Sequence, residues 1–406
     1  MKTLAIVGTF DTKGKELSYV KEIVEELGLK TLTINTGVFE SEFKVDVTNQ
    51  EVVAEVGENI SDIAKKHDRG YATEVLSKSI EKIIPRLYNE GKFDGIISFG
   101  GTGGTSIVTP GMRALPIGVP KIMVSTVAAG DTSFYIGTSD LIMMPSVVDV
   151  AGLNRVSTQI FQNAAHAIAG MLKFESKKIE HKKPLVAATM FGLTTPAVNY
   201  ATEYLEKRGY EVLIFHATGV GGKTMESLID NGYIEGVLDL TTTEWCDELF
   251  GGVLNAGPNR LEAAALNKVP QVVSLGALDM VNFGSFDTVP SKYKGRKFYK
   301  HNPSVTLMRT NKEENKLLGE KIAEKLNLAT QDTVLMIPNK GLSGIDKEGE
   351  VFYGSEEDKI LFDSIKKNLN SDIVKIIDVD TVINNKNFAE TAAQELIDMM
   401  NRKNNN

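Results

Sequence analysis

The chain has 406 residues, of which 42% are hydrophobic and 24% are charged, a composition that excludes a disordered, collagen-like or coiled-coil protein. Its net charge of −8 argues against a nucleic acid as the main partner, because binding along a phosphate backbone requires an excess of Lys and Arg. A local phosphate site stays open, since a few backbone N–H groups can hold a phosphate without net positive charge.

The chain begins with an apolar run that ends before Asp11 and is too short for a signal peptide. No stretch approaches the ~20 apolar residues that span a membrane, so we expect no membrane partner. Residues 3–38 resemble residues 184–220. Each segment has an apolar run, polar turn residues, a helical pattern ending at Gly28 or Gly209, and a second apolar run. This order predicts a β-loop-α-β unit in both places.

Two α/β halves follow, whether the similarity reflects duplication or only the common pattern of βαβ units. We predict domains at residues 1–180 and 181–406, joined near Glu175–Lys183. The C-terminal helix belongs to the second domain or packs back on the first.

Further strands and helices are predicted by periodicity. In the first half we expect strands at residues 95–99, 120–125 and 141–144 and helices at 69–90, 105–114 and 151–174. In the second half we expect strands at 236–240, 271–275, 305–308, 333–337 and 373–377 and helices at 261–267, 313–326, 358–368 and 388–400. Alternating strands and helices indicate mainly parallel sheets, and therefore two Rossmann-like, doubly wound domains. Ligands of such domains bind at loops that follow the carboxyl ends of strands.

The first such loop contains Asp11, Thr12 and Lys13, between a strand and a helix. Asp11 could cap that helix or hold a metal ion, and the sequence supports both roles equally. Lys13 could reach a phosphate.

The second loop, directly after a strand, consists of Gly100, Gly101, Thr102, Gly103, Gly104 and Thr105. Glycines cost conformational entropy and provide no packing, which favours close approach of the backbone to a ligand. The N–H groups and the Thr105 hydroxyl would then bind an anion. A flexible turn is the alternative. The spacing differs from the dinucleotide fingerprint, so we do not predict NAD binding.

The third loop contains Gly221, Gly222, Lys223 and Thr224, after a predicted strand and before a helix. With Ala217 in place of the first glycine, it satisfies a relaxed phosphate-loop pattern. Relaxed patterns of this length also arise by chance, and only Asp239 offers an acidic partner. We predict a loop that contacts phosphates rather than a complete P-loop fold.

Hydroxyl-rich loops supply candidates for a second ligand: Ser125, Thr126, Gly130, Thr242, Thr243 and Glu244. The last three occupy the position in the second half that corresponds to the glycine loop. They could bind ribose hydroxyls or orient a water, or they could be ordinary strand and surface residues. The basic loop around His301 could contact an anion or simply be solvated.

The number and spacing of cysteine and histidine residues argue against a disulfide, nucleophilic hydrolysis and a histidine metal site. The single cysteine, Cys246, permits no internal disulfide and lacks a general base, so we expect a cytoplasmic protein without nucleophilic hydrolysis. The five histidines lack the spacing of metal ligands, so no metal site is predicted from them.

Several motifs in order resemble one family: GTFDTKGKE, SFGGTGGTSI, DVAGLNRVS, FHATGVGGKTME, LDLTTTE, SLGALDMVNFG and HNPSVTLMRT. It is the ATP-binding domain family of the tomato mosaic virus resistance protein, whose bacterial members form a long-uncharacterised protein family. The resemblance extends from Met1 to about Met400. It implies two Rossmann-like subdomains, ATP binding and a homodimer, and we expect a bacterial stand-alone member.

The leading hypothesis is an ATP-binding protein with no established reaction and its ligand near the cleft between the domains. Glycine-loop amides would hold the phosphates, Lys13 or Lys223 would neutralise charge, and Asp11 or Glu244 would position Mg²⁺ or a water. One alternative is an ATP-dependent enzyme acting on a small metabolite held between the two domains. Another is a non-catalytic module in which ATP regulates binding of a partner. The loops could form one site or two.

Overall fold

The computed structural model describes residues 1–174, 183–330 and 332–404 of the chain. The chain divides into two units, Met1–Ile179 and Glu180–Asn406. The linker predicted near Glu175–Lys183 lies, except for Lys183, outside the described residues. Within the described part of the chain, no helix combines the length and apolarity needed to cross a bilayer.

Unit 1 is built on one parallel sheet. Its strands are β1 (Thr3–Gly8), β2 (Lys30–Asn35), β3 (Gly95–Gly100), β4 (Lys121–Ser125) and β5 (Ile142–Pro145). Its helices are α1 (Phe10–Glu26), α2 (Asn49–Ala54), α3 (Ile60–Lys65), α4 (Arg69–Asn89), α5 (Thr102–Arg113), α6 (Ser133–Ile136) and α7 (Arg155–Lys173). The strand order is β2-β1-β3-β4-β5, so the chain reverses its direction of travel across the sheet between β1 and β3. Ligands of doubly wound domains bind at this switch point.

The strands of unit 1 are apolar because helices cover both faces of the sheet. On one face Ala5 and Val7 of β1 belong to a buried cluster with Leu76 and Ile80 of α4. On the other face Leu4 and Ile6 belong to a cluster with side chains of α1 and α7. Full burial of each Val, Leu or Ile side chain among them contributes about 1.5–3 kcal/mol. These two layers fix the strand ends from which the loops of the site emerge.

Unit 2 combines a parallel sheet with a small antiparallel one. Its strands are β6 (Leu185–Met190), β7 (Glu211–His216), β8 (Gly236–Thr241), β9 (Gln271–Gly276), β10 (Met280–Phe283), β11 (Phe298–Asn302), β12 (Val305–Arg309), β13 (Thr333–Pro338) and β14 (Val374–Val379). Its helices are α8 (Thr195–Glu206), α9 (Val220–Asp230), α10 (Glu244–Phe250), α11 (Ala263–Leu266), α12 (Lys312–Leu326), α13 (Ser355–Asn368) and α14 (Lys386–Asn404). The parallel sheet has the order β14-β13-β9-β8-β6-β7, and the antiparallel sheet has the order β10-β12-β11.

The two units share the arrangement of their first strands. In unit 2 the order β7-β6-β8-β9 repeats the order β2-β1-β3-β4 of unit 1, which agrees with the similarity between their sequences. The predicted fold class, two Rossmann-like α/β domains with mainly parallel sheets, is therefore confirmed. Helix α14 packs in unit 2, where Phe388 and Leu396 share a buried cluster with Val186 and Leu238.

The antiparallel sheet was not predicted in full. Only β12 was expected, and the segment around His301 was predicted as a solvated or anion-binding loop. It instead forms β11, which pairs with β12 around a β-bulge. Nearby Arg296 forms an ion pair of 2.6 Å with Glu314, so this cation is already matched by a carboxylate.

Two buried carboxyl groups predict how the stability of unit 2 depends on pH. Burial raises the pKa of Asp247 to about 7, although N–H donation from Asn282 opposes the shift. Burial and the neighbouring Asp346 raise the pKa of Asp358 to about 7 as well. Unfolded aspartates titrate near ~3.9. Between these values the folded state binds more protons than the unfolded state, so the free energy of unfolding falls as pH rises from about 4 to 7.

Urea unfolding at several pH values checks this prediction. The single tryptophan, Trp245, lies in unit 2 and reports its unfolding by fluorescence. We expect a higher urea midpoint at about pH 5 than at about pH 8. A higher midpoint at the alkaline end would show that other titrating groups dominate the pH dependence.

Candidate functional site

A pocket of about 590 Å³ opens beyond the carboxyl ends of β1, β2 and β3, at the switch point of unit 1. Pockets that bind small molecules occupy roughly 300–1,000 Å³. Eight of the residues predicted from the sequence line it: Asp11, Thr12, Lys13, Gly100, Gly101, Thr102, Gly103 and Gly104. The first two predicted loops therefore meet in one pocket, as neighbouring strand ends of a parallel sheet should.

The glycine loop forms the amino end of helix α5, which begins at Thr102, three residues earlier than predicted. Its N-cap residue is Gly101, and no side chain caps the helix. The first backbone bond runs from the amide of Thr105 to the carbonyl of Gly101. The amides of the first turn therefore lack an intrahelical acceptor, and with the helix dipole they favour an anion.

The fold itself does not require three of the glycines in this loop. A Cβ at Gly104 would meet no atom within 4 Å, and one at Gly101 would lie 3.7 Å from the nearest side chain. At Gly103 the nearest atom, at 3.2 Å, is the flexible end of Arg69. None of the three has a positive φ. Gly100 differs, because its Cβ would lie 3.2 Å from Gly104 Cα. The open glycines indicate close approach of a ligand.

Two cations of the pocket lack a partner among the described residues. The side chains of Arg69, the first residue of α4, and of the half-buried Lys13 take part in none of the hydrogen bonds or ion pairs found there. The hydroxyl of Thr36 is fully buried, also lines the pocket, and has no hydrogen-bond partner in the described structure. Amides, two free cations and a free hydroxyl form a donor set suited to phosphate.

Sequence reasoning missed Arg69, His67, Thr36 and Asp149, which all line this pocket. The predicted helix at residues 69–90 carried a usable signal. Helices that run antiparallel to the strands begin at the carboxyl edge of the sheet, so Arg69 belongs to the ligand side. His67 has a φ of 49°, a strained conformation that is often found near functional sites.

Asp11 neither caps α1 nor points freely into the pocket. Helix α1 has Thr9 as its N-cap residue, without a side-chain cap. Oδ2 of Asp11 accepts the amide of Phe39 at 3.0 Å. A Cβ on Gly37 would collide with the Asp11 carboxyl group, so the two pack directly together. Oδ1 has no hydrogen-bond partner among the described residues. Asp11 thus holds the segment after β2 against the pocket.

The third predicted loop lies in unit 2 and is folded around a carboxylate. Oε1 of Glu244 accepts the amide of Gly219 at 2.7 Å and that of Gly222 at 3.1 Å. A Cβ on Gly222 would collide with this carboxylate, and one on Gly221 would collide with the carbonyl of His216. Internal contacts therefore explain these glycines. The Glu244 carboxylate thus already accepts two of the amides that a phosphate-binding loop would offer, which disfavours the phosphate-loop hypothesis.

The other two predicted residues of that loop are Lys223 and Thr224. Lys223 is exposed, and the Thr224 hydroxyl donates to the carbonyl of Val220 at 2.8 Å.

Arg260 forms a buried ion network with three carboxylates in unit 2. Arg260 donates to both oxygens of Asp239, at 2.5 and 2.8 Å, and to Oε2 of Glu244 at 2.7 Å. It also contacts Glu226 at 3.1 Å. Burial raises the pKa of Glu244 and of Glu226, and Arg260 partly offsets both shifts. Burial disfavours the charged Arg260, but the three carboxylates outweigh it and raise its pKa.

This network corrects the prediction for Glu244. Both of its oxygens are fully buried and hydrogen-bonded, so it cannot position Mg²⁺ or a water at an open site. Thr242 and Thr243 are also fully buried, and the Thr242 hydroxyl donates to the carbonyl of Ser274 at 3.0 Å. In unit 2, buried side chains thus occupy the position that corresponds to the open pocket of unit 1.

The structure also corrects the ligand-binding roles predicted for the hydroxyls of Thr105 and Ser125. The Thr105 hydroxyl is fully buried, donates to the carbonyl of Gly101 at 2.8 Å and lies 2.6 Å from the Ser125 hydroxyl. Both link α5 to β4 instead of facing a ligand. Thr126 and Gly130 are exposed and do not line the pocket.

The N-terminal domain of the uncharacterised protein family UPF0261 matches residues 2–177, and its C-terminal domain matches residues 183–400. The chain belongs to the UPF0261 family. This confirms the resemblance predicted from the motifs.

Two relatives illustrate the range of the family. A UPF0261 protein of Clostridium tetani (strain Massachusetts / E88) is 55% identical over 402 residues, which are 99% of this chain and 100% of that protein. The ToMV resistance protein Tm-1(GCR237) of Solanum lycopersicum is 40% identical over 421 residues. That match covers 97% of this chain and 55% of the tomato protein, so the chain spans about half of the plant protein's length.

Two solved structures resemble the chain only distantly. UDP-GlcNAc 2-epimerase of Methanocaldococcus jannaschii, in complex with UDP-GlcNAc and UDP, is 14% identical with a TM-score of 0.22 and covers 67% of this chain and 83% of its own. MurG of Acinetobacter baumannii is 13% identical with a TM-score of 0.22 and covers 99% of this chain and 94% of its own. At such scores neither structure bears on the ligand of the UPF0261 pocket.

Proposed function

We propose that unit 1 binds a nucleotide, ATP, with its phosphates at the amino end of helix α5. The observation that carries this proposal is the uncapped helix end, whose glycines Gly101 and Gly104 face open space where a side chain would fit. Glycine removes the Cβ that would hold a phosphate away from the backbone amides. The free cations Lys13 and Arg69 line the same pocket and would neutralise the phosphate charge.

The same proposal includes a Mg²⁺ ion that accompanies the phosphates. Asp11 and Asp149 line it, and carboxylate oxygens are the ligands that Mg²⁺ prefers. Asp149 and Asp11, the latter through the Oδ1 that is unpartnered among the described residues, would hold the ion together with phosphate oxygens. The ion would neutralise phosphate charge while Asp11 continues to hold the Phe39 amide. Homodimer formation and a cytoplasmic location stay predictions from the sequence, and no part of this proposal depends on them.

Calorimetric titration with ATP, with and without Mg²⁺, tests the proposal. Arg69→Ala is expected to weaken ATP binding by about 10- to 100-fold, because a hydrogen bond between ions contributes roughly 1.5–3 kcal/mol. Arg155→Ala is the matched control, since Arg155 is likewise exposed and likewise the first residue of a helix, but lies outside the pocket. Absence of ATP binding by the folded wild type would refute the proposal, and equal effects of both variants would remove Arg69 from the site.

A further inference from the structure

Phe39 is an aromatic side chain that the fold leaves without a packing role. It lines the pocket of unit 1, yet 60% of its surface is exposed. It belongs to none of the aromatic pairs or buried clusters of the described residues. A large exposed aromatic side chain at the mouth of a pocket offers apolar surface whose burial against a ligand is favourable.

The backbone around Phe39 is nevertheless fixed by side chains of other elements. Asp11 accepts the Phe39 amide at 3.0 Å. Nδ2 of Asn49 donates to the carbonyl of Gly37 at 2.8 Å and to that of Phe39 at 3.1 Å. The ring is thus carried on a backbone with defined hydrogen bonds, and a preorganised contact loses little entropy when a ligand binds.

Other parts of the pocket surface are apolar. Ile63 of α3, Leu76 of α4 and Ile107 of α5 all line it, and each is buried as part of the core of unit 1. The pocket therefore combines two kinds of surface, with amides and cations at the end of α5 and hydrocarbon elsewhere. A ligand that matches both surfaces carries phosphate at one end and a flat apolar group at the other.

We propose that Phe39 stacks on the aromatic base of the bound nucleotide, so that the pocket selects a base-bearing nucleotide over a phosphorylated sugar or a free polyphosphate. This inference rests on the proposed nucleotide site. Base stacking on an aromatic ring is favourable for every base, and hydrogen bonds to the base are a separate source of selectivity.

The test compares ATP with inorganic tripolyphosphate, which carries the phosphates alone. Phe39→Ala is expected to weaken ATP binding by about 10-fold or more and to change tripolyphosphate binding by less than about twofold. Phe134→Ala is the control, because Phe134 is 77% exposed in the same unit but lies outside the pocket. In Phe39→Trp, the fluorescence of the added tryptophan is expected to change with ATP and not with tripolyphosphate.

Each outcome separates this inference from the site on which it rests. If wild type binds tripolyphosphate as tightly as ATP, the anion site stands and base stacking is refuted. If Phe39→Ala weakens both ligands equally, Phe39 shapes the pocket and does not contact the base. Unchanged ATP binding in Phe39→Ala also refutes the inference. If folded wild type binds neither ligand, the proposed function fails and this inference fails with it.

Discussion

Gly104→Asp is expected to abolish ATP binding, with a loss of at least about 100-fold, while the protein stays folded. A Cβ at Gly104 meets no protein atom within 4 Å, so the side chain has room in the free protein. In the complex the new carboxylate would stand where the phosphates bind and would repel them. The same carboxylate lies in the first turn of α5, where a negative charge stabilises a helix by about 0.3–1 kcal/mol. Lost binding and unchanged or increased stability are therefore expected together.

Calorimetry and urea unfolding of two further variants complete this test. Gly104→Asn adds a side chain of the same size without the charge and is expected to weaken ATP binding by about 10-fold. Ser106→Asp introduces the same charge on the same helix at a residue outside the pocket, and we expect it to retain most of the affinity. Wild-type affinity in Gly104→Asp would show that the phosphates do not approach the amino end of α5.

Arg260→Leu is expected to destabilise unit 2 by about 3–5 kcal/mol, because it leaves buried carboxylates without their counter-ion. Arg260 and Asp239 are each 1% exposed, and Glu244 is fully buried, so water cannot replace the lost partner. A surface pair is worth only about 0–1 kcal/mol. The contrast between these magnitudes makes the prediction specific to burial.

Urea unfolding followed by the fluorescence of Trp245, which is next to Glu244 in the chain, measures the stability of unit 2. The control is Arg86→Leu, since Arg86 contacts Glu55 and Glu90 at the surface, with 45% of its side chain exposed. Arg260→Leu should give a far lower midpoint than wild type or no folded unit 2, and Arg86→Leu should differ little from wild type. Similar small decreases of the urea midpoint in both variants would mean that the buried network contributes little to the stability of unit 2.

Local sequence patterns predicted much of the fold, because one continuous stretch of the chain forms each β-loop-α-β segment. Apolar runs followed by helical periodicity gave the parallel strands and their crossover helices. The antiparallel strands β10 and β11 were missed, since short strands with polar residues such as those around His301 carry a weak periodic signal. Their structure depends on pairing with β12, which the local pattern within each strand does not reveal.

The candidate site was predictable only where a loop directly follows a strand. The glycine loop met this condition, and so did Lys13. Arg69 was missed although it begins a predicted helix at the ligand side of the sheet, and Thr36 was missed although it directly follows β2, because neither lies in a run of glycines that marks a ligand site. Glu244 shows the opposite limit. Its position in the second half, which corresponds to that of the glycine loop in the first half, suggested a ligand, but the carboxylate itself accepts the amides of Gly219 and Gly222.

A co-crystal structure with a non-hydrolysable ATP analogue tests the central claim most directly. The account predicts phosphate oxygens within hydrogen-bond distance, about 2.7–3.2 Å, of the amides of Gly103 and Gly104, with the Arg69 guanidinium on the same phosphates. The base is expected against the ring of Phe39. Phosphates bound at the loop of Gly219 and Gly222, or a pocket of unit 1 without the analogue at saturating concentration, would contradict it.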